Sequence, residues 1–561
     1  MKKLATVLLC LIILSMPSVF AAAQTEKAPA AAAVTDYSET GRLNVLWFAA
    51  GGTDGTFECV YKDYQSQVPD LIYDTLLKLD MEDNSKLVPR MAERWEVSAD
   101  GLVYKFFIRE NLNWSDGVPV TADDVVFSLQ AQLRGYGIQN ERGSFAYIKG
   151  ANAYFKGEAE TITGVKAEGK VLTITLDKPY GFFMRTLATF VPYPRHLFPA
   201  DVDYKRFGTY DYWKAPVHCG PYLIESVRFP DYCLLVRNDK WYGPKPGIKY
   251  VQGMSFETGG NDAAAAAMIA GKLDLVHSNA FNDINFAQNI VKQNPDYAYN
   301  AFAAPYYRLF LTNLTTAADG KYNKFMMNAN FRKALNLAMD KEGFASYFPG
   351  QAVALSTAIN PGDPYYDKTI PLFKRNVEEA KKLLAASGYD GSTIRIGYYY
   401  NDQTTHDLMA LAAQNLKEIG IKTEIQLYTQ DLYAAIYERK NWDILYAGAN
   451  NLSGIENYAV VVPGNVYDMY LGNIEEREAL FGVHMKEVLA TSDPAKLRQL
   501  ANTLQRNALE YGSPIPMISM NKIMVYNDAK WDFDPAWLKA TDLAIYRTCD
   551  LRLESWKLLK P

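Results

Sequence analysis

A mixed α/β fold is predicted for this 561-residue chain by three features of its sequence. Segments with the alternating apolar pattern of strands are interleaved with segments of helical period from about residue 41 onward. Apolar residues make up 49% and charged residues 22%, enough for a large core and unlike a disordered or polytopic membrane chain. After residue 40 no fixed-period repeat and no linker interrupts the pattern, so the domains are expected to be discontinuous, with the backbone crossing between them several times.

The elements follow in order. Met1-Lys2-Lys3, the apolar run Leu4 to Leu14 and Ala21-Ala22-Ala23 read as a secretory signal peptide over residues 1–23, which places the remainder outside the cytoplasm, in a periplasm or its equivalent. Leu9 stands where a lipidated cysteine needs a small residue before it, so lipid anchoring at Cys10 is not expected. Residues 24–40 form an alanine-rich spacer with no pattern for a packed element. Arg42 to Phe48 reads as a strand, and Asp70 to Leu79 as a helix with Leu71, Ile72, Leu76 and Leu79 on one side. Leu102 to Ile108 is a strand and Asn113 to Pro119 a turn. Thr121-Ala122-Asp123-Asp124 then opens a helix, Val125 to Leu133, with Thr121 as cap and both acids at the positive end of the dipole. That position gives the two carboxylates a structural task rather than acid–base work. Leu172 to Leu176, Tyr222 to Val227 and Leu234 to Val236 are further strands; Asp262 to Ala270, Asn330 to Met339, Val377 to Ala386 and Asp407 to Ile419 are helices.

Four cysteines follow the leader: Cys59, Cys219, Cys233 and Cys549. They permit two disulfides in any of three connectivities, or buried free thiols. A turn at Phe229-Pro230-Asp231 pairs Cys233 with a residue near Val227, which leaves Cys219 beyond bridging reach of it.

The formal net charge of −5 supplies no drive toward nucleic acid. Of five histidines (His196, His218, His277, His406 and His484) none stands at ligand spacing from another, and neither nucleotide-binding glycine motifs nor a Gly-x-Ser-x-Gly elbow occurs. No catalytic residue, metal or cofactor is expected. Aromatic content is the positive signal: 39 Tyr, 26 Phe and 9 Trp. Most serve packing, but Tyr398-Tyr399-Tyr400 and Phe302 to Tyr307 are candidate cleft walls.

The run Ala92-Glu93-Arg94-Trp95-Glu96-Val97-Ser98-Ala99-Asp100-Gly101-Leu102-Val103-Tyr104-Lys105-Phe106, continued by Trp114-Ser115-Asp116-Gly117-Val118-Pro119-Val120-Thr121-Ala122-Asp123-Asp124-Val125, resembles the signature of the solute-binding proteins of peptide/nickel/opine ABC importers. Cys219-Gly220-Pro221-Tyr222, Arg237 to Gly243, Ala270-Gly271-Lys272-Leu273-Asp274, Phe331-Arg332-Lys333-Ala334-Leu335, Met339-Asp340-Lys341 and Ala380 to Leu384 follow in the family's order. The resemblance implies a two-lobed, three-domain protein: domain I from 41–73, 192–300 and 513–561, domain II from 74–191, and domain III from 301–512. The lobes, I with II against III, would close by a hinge on an oligomeric solute, and the closed monomer would be read by the membrane permease.

Carried over residue by residue, the family's pocket falls on Phe57, Glu58 and Cys59; on Phe145 and Tyr147; on Tyr400 with Asn401 and His406; and on Tyr446, Gly448, Asn450 and Asn451. Two positions depart from the peptide-binding pattern. Ala449 replaces an aromatic, and Leu452 stands where an acid would meet a peptide's α-ammonium. A buried ammonium without a carboxylate costs several kcal/mol, so simple di- and tripeptides are expected to be poor ligands unless Glu58 or Glu456 substitutes. The solute is thus an oligopeptide or, given the neutral Asn450 and Asn451 beside aromatic walls, an oligosaccharide. A secreted hydrolase is the remote alternative, and an extracellular peptide sensor or chaperone on the same scaffold a third.

Overall fold

The computed structural model describes residues 41–46, 57, 71–80, 86–135, 144–228, 232–254, 260–276, 284–302, 306–361, 363–430, 434–450, 454–462, 473–491, 493–533, 553 and 557–559. The leader, the spacer, Glu58, Cys59, Asn451, Leu452, Cys549 and the turn at Phe229-Pro230-Asp231 lie outside the described residues.

Three sheets dominate. A seven-stranded sheet has the spatial order Tyr297–Phe302, Lys522–Asn527, Leu275–Val276, Arg42–Leu46, Tyr250–Met254, Tyr232–Arg237, Tyr222–Arg228. A six-stranded sheet runs Ala352–Ala354, Ile515–Met520, Tyr306–Thr312, Ile444–Asn450, Ile394–Tyr398, Thr423–Leu427. A smaller four-stranded antiparallel sheet comprises Ala92–Val97, Val103–Ile108, Val171–Thr175 and Val165–Glu168. The chain passes between the two large sheets twice. It leaves the first at Phe302 and enters the second at Tyr306, then returns through Asn521 between Met520 and Lys522. Gln351 braces the second crossing: its side-chain amide donates to Asn521 O at 3.0 Å, and its carbonyl accepts from Ile284 N–H at 3.2 Å.

Several motifs quoted above prove to be braces. Thr121 N–H donates to the Asp124 carboxylate at 2.8 Å, closing the start of the helix Ala122–Arg134. Asp124 also takes Trp114 Nε1 at 3.3 Å and Arg195 N at 2.8 Å, which uses it fully in structure. Gly220 donates its N–H to Ile72 O, and a Cβ there would stand 2.5 Å from the Ile72 carbonyl carbon, so only glycine permits the approach. Asp274 accepts from Asn44 N at 2.8 Å and from Lys530 Nζ at 2.9 Å, tying the first strand to the segment after the last long one. Arg332, wholly buried, donates to Tyr511 O and Met326 O.

The helix expected over Asp70 to Leu79 is corrected. Only Leu71 and Ile72 are helical, and Leu77–Leu79 is a strand paired with Leu87–Pro89. Leu77 and Leu79 are buried on one face with Lys78 between them, a period of two that the short run of leucines concealed. Buried Asp74, bonded to Arg90 Nε at 2.9 Å, anchors the chain just before that strand. The hairpin register is as expected, with Cys233 opposite Val227, and buried Cys219 and Cys233 are not joined to each other.

Candidate functional site

The strand Ile394–Tyr398 lies parallel to Thr423–Leu427 and to Ile444–Asn450, and its crossover helix is Gln403–Glu418. The carboxyl ends of such strands, where helix connections diverge, leave a crevice open to ligand. Tyr399 and Tyr400 follow directly from the end of the first strand. Tyr306–Thr312 runs antiparallel beside the third, with Arg308 opposite Gly448, Phe310 opposite Tyr446 and Tyr306 opposite Asn450. Alternation along these strands puts Tyr306, Arg308 and Phe310 on the face that Tyr446 and Gly448 share.

Gly448 lets two tyrosine side chains close over that face. A Cβ there would lie 2.5 Å from Tyr306 Oη and 2.7 Å from Tyr400 Oη, so both hydroxyls converge over the glycine. Tyr399 Oη is 3.1 Å from Tyr400 Oη and accepts from Gly448 N–H at 3.4 Å. The Arg308 guanidinium lies 3.6 Å from the centre of the Tyr400 ring, with Tyr306 and Tyr446 at 5.2 Å and 5.9 Å. Burial disfavours its charge, the surrounding tyrosines favour it, and the balance holds Arg308 above its ordinary range. Burial also raises Tyr446 and Tyr399, so these two phenols are neutral at physiological pH.

His406 stands beside this cluster. Its Nδ1 is 2.7 Å from Tyr398 Oη, and the two rings meet edge-on. Asp402 caps the same helix through Thr405 N–H at 2.8 Å. A second aromatic group follows the four-stranded sheet: Tyr147 stacks on Tyr180 at 4.3 Å with Lys178 over its ring, and burial together with the charge of Glu456 raises the Tyr147 hydroxyl. Glu456 belongs to the body carrying the six-stranded sheet, so the two bodies face each other here. They also touch where Gly181 N–H donates to Leu489 O, and the charge of Arg185 reaches Asp363 and Tyr365.

The structure therefore brings Tyr400, Tyr446 and Gly448 together, sets His406 beside them, and places Tyr147 in the aromatic group near Glu456. Asn450 lies in the adjoining strand. Phe145 is fully buried against Phe190, and Phe57 is fully buried with its N–H on Trp213 O at 2.7 Å. Arg308 is the residue sequence reading missed. It is the first residue past the aromatic run ending at Tyr307, and a cation in phase with strand aromatics was the available signal. Among the described residues no group of three His, Cys, Asp or Glu could hold a metal ion, and no helix is long and apolar enough to cross a membrane.

A family model described as bacterial extracellular solute-binding proteins, family 5, matches residues 86–457, more than half of the chain. The chain belongs to this family. Family 5 proteins bind solutes and are not enzymes, so the hydrolase alternative falls. This family 5 chain is 25% identical over 407 residues to the nickel-binding periplasmic protein of Escherichia coli, covering 68% of this chain and 70% of that one. It is 26% identical over 416 residues to the periplasmic oligopeptide-binding protein OppA of Salmonella typhimurium, with 68% and 70% covered. Its fold matches the crystal structure of the ABC transporter substrate-binding protein CtaP from Listeria monocytogenes with a TM-score of 0.73 at 19% identity, over 93% of this chain and 99% of that one. The architecture is accordingly the two-lobed one of periplasmic binding proteins.

Proposed function

We propose that this protein captures an oligopeptide-type solute between its two lobes outside the cytoplasm and delivers it to an ABC permease. The observation that carries the reading is the tyrosine cluster of Tyr306, Tyr399, Tyr400 and Tyr446 around Gly448, at the carboxyl ends of parallel strands and on the body that faces Tyr147 and Tyr180. Rigid aromatic walls with few polar groups suit an oligomeric ligand that buries most of its surface. The relatives named above, one binding oligopeptides and one nickel, support an importer role. The chemistry of the site favours an organic ligand over a bare cation, because a guanidinium sits within it and repels metal ions.

Two crossings, between Phe302 and Tyr306 and at Asn521, support three discontinuous domains with hinge closure of I and II against III. These are domain I (41–73, 192–300, 513–561), domain II (74–191) and domain III (301–512), except that Ile515–Met520 pairs in the six-stranded sheet, which moves the return to domain I from 513 to Asn521. Removal of residues 1–23 and a tether at 24–40 complete the picture of a monomeric extracytoplasmic carrier. An oligosaccharide is the second reading, favoured by the flat tyrosine faces. Native mass spectrometry of freshly purified protein tests both through the mass of the retained ligand. Small-angle scattering is expected to report compaction when that ligand is returned to stripped protein. Absence of any retained mass, with no compaction by peptide or oligosaccharide mixtures, overturns the proposal.

A further inference from the structure

Three hydrogen bonds of Gln351 meet where the chain returns from the six-stranded to the seven-stranded sheet. Its backbone carbonyl accepts from Asn521 N–H at 2.9 Å and its side-chain amide donates to Asn521 O at 3.0 Å, so one residue takes both backbone groups of Asn521. Ala352, the next residue, pairs with Met520 in the six-stranded sheet, which fastens Gln351 and Asn521 to the edge of that lobe. The third bond runs the other way. Gln351 Oε1 accepts from Ile284 N–H at 3.2 Å, at the start of the helix Ile284–Gln293. Ile284 is buried in the core of the other lobe, with Val276, Ile523 and Val525.

The orientation of this carboxamide is fixed by chemistry. Gln351 is 2% exposed, and turning the amide over would set its NH2 against Ile284 N–H and its oxygen against Asn521 O. The backbone before it is equally determined: Gly350, at φ 76°, makes a left-handed turn that lets Gln351 N–H and Ala352 N–H both donate to Phe348 O at 3.0 Å. Ile284 N–H, for its part, is one of the donors that a helix start leaves without an intrahelical acceptor. Leaving such a donor buried and unpaired costs more than its bond contributes net. A rotation of the lobes about the crossing keeps Gln351 with Asn521 and carries Ile284 away with its own core.

We propose that Gln351 is the positioning residue of closure: its carboxamide completes the start of the Ile284 helix only at the lobe angle of this structure, where Gly181 N–H also meets Leu489 O. This deepens the solute-binding reading and rests on its hinge. The described bonds of Gln351 go to Asn521, Ile284 and Phe348, none of which belongs to the tyrosine cluster. Gln351 therefore shifts the balance of open and closed forms for every solute alike, and apparent affinity follows the fraction of the competent form.

Stripped full-length protein is offered a randomised pentapeptide library and a mixture of cello-oligosaccharides. Native mass spectrometry reads retention, and hydrogen exchange resolved at the Ile284 amide reads the hinge. In the unaltered protein that amide is expected to exchange more slowly with the retained probe than without it. Gln351→Met, which keeps the volume and removes the amide, is expected to abolish this difference and to weaken every retained species by the same factor, about tenfold. Gln351→Glu supplies a rescue: its carboxylate opposes Asn521 O, but its protonated form can donate there while accepting from Ile284 N–H. Its affinity, relative to the unaltered protein at the same pH, is expected to recover between about pH 7.5 and about pH 5.5, the range to which burial lifts a carboxyl group. Equal Ile284 exchange with and without the retained probe, unchanged affinity in Gln351→Met, or a loss confined to some species overturns the inference and leaves solute binding intact. A pH-independent loss in Gln351→Glu does the same. Failure of the unaltered protein to retain or respond to either probe overturns both. Should Gln351→Met fail to fold, the Ile284 exchange of the unaltered protein and the pH profile of Gln351→Glu still decide.

Discussion

Gly448 and His218 show how a single position sets what its surroundings can do. At Gly448 a methyl group would stand 2.5 Å from Tyr306 Oη and 2.7 Å from Tyr400 Oη. Gly448→Ala is therefore expected to displace these rings from the strand and weaken solute binding about tenfold, the low end of the cost of overpacking. Titration calorimetry with the natural ligand measures this, and the melting temperature should fall as well. His218 is buried edge-on against Tyr73, and its Nε2 accepts from Ile224 N–H at 3.4 Å. Burial lowers its pKa to about 4. The unfolded chain, titrating near 6.5, then binds more protons than the folded one between those values, so stability is complete above pH 6.5 and declines as the pH falls toward 4. The loss reaches about 3 kcal/mol at the acid end. Denaturant titrations at pH 7 and pH 4.5 should show the decline in the native protein, and His218→Gln should flatten it.

At the scale of elements, the parallel strands beneath the site are fixed by a charge cluster at their amino ends. Asp443 accepts from Arg395 N at 2.7 Å and from Arg395 Nη2 at 3.1 Å, while Arg395 Nη1 reaches Asp319 at 3.0 Å. Asp443→Ala leaves the buried guanidinium with half-exposed Asp319 alone and is expected to cost about 3 kcal/mol, read as a fall in the urea midpoint. Ligand affinity per folded molecule should change little, since the site lies at the opposite ends of the strands. Two capped helices were placed from the sequence to within a residue of their starts, Ala329–Ala338 after Asn328 and Val377–Ala386 after Asn376, whereas Gln403–Glu418, capped by Asp402, was read only from Asp407. The longest helix, Pro494–Tyr511, went unread although Asp493-Pro494 announces it and Leu497, Leu500, Ala501, Leu504 and Ala508 keep its period. The strand Leu77–Leu79 was read as helix because three residues are too few to reveal a period of two.

Across the whole molecule, one described contact between the part carrying the four-stranded sheet and the part carrying the six-stranded sheet is intolerant of bulk. The Gly181 amide meets the Leu489 carbonyl, and a Cβ on Gly181 would stand 2.6 Å from Thr491 O. Backbone cannot yield as a side-chain tip can, so Gly181→Val is expected to hold the bodies apart. Scattering should then report a larger radius of gyration in the presence of ligand than for the native protein. Affinity should fall by the differential stability of the closed form.

The sequence by itself determined the class of fold, the hairpin register around Cys233, most helix starts and the family, because local period, caps and motif order are written in consecutive residues. Tyr446 and Gly448 were legible only through resemblance to that family, whereas Tyr400 also stood out in the aromatic run Tyr398-Tyr399-Tyr400. For Arg308 the neighbouring sequence offered only a cation beside the aromatic run ending at Tyr307. Its meaning comes from residues 92 and 140 positions away, Tyr400 and Gly448, which the pairing of Tyr306–Thr312 with Ile444–Asn450 carries to its side. A charge in a sequence has no partner list. Only the tertiary structure decides whether a guanidinium ends in water or, as here, stacked among tyrosines.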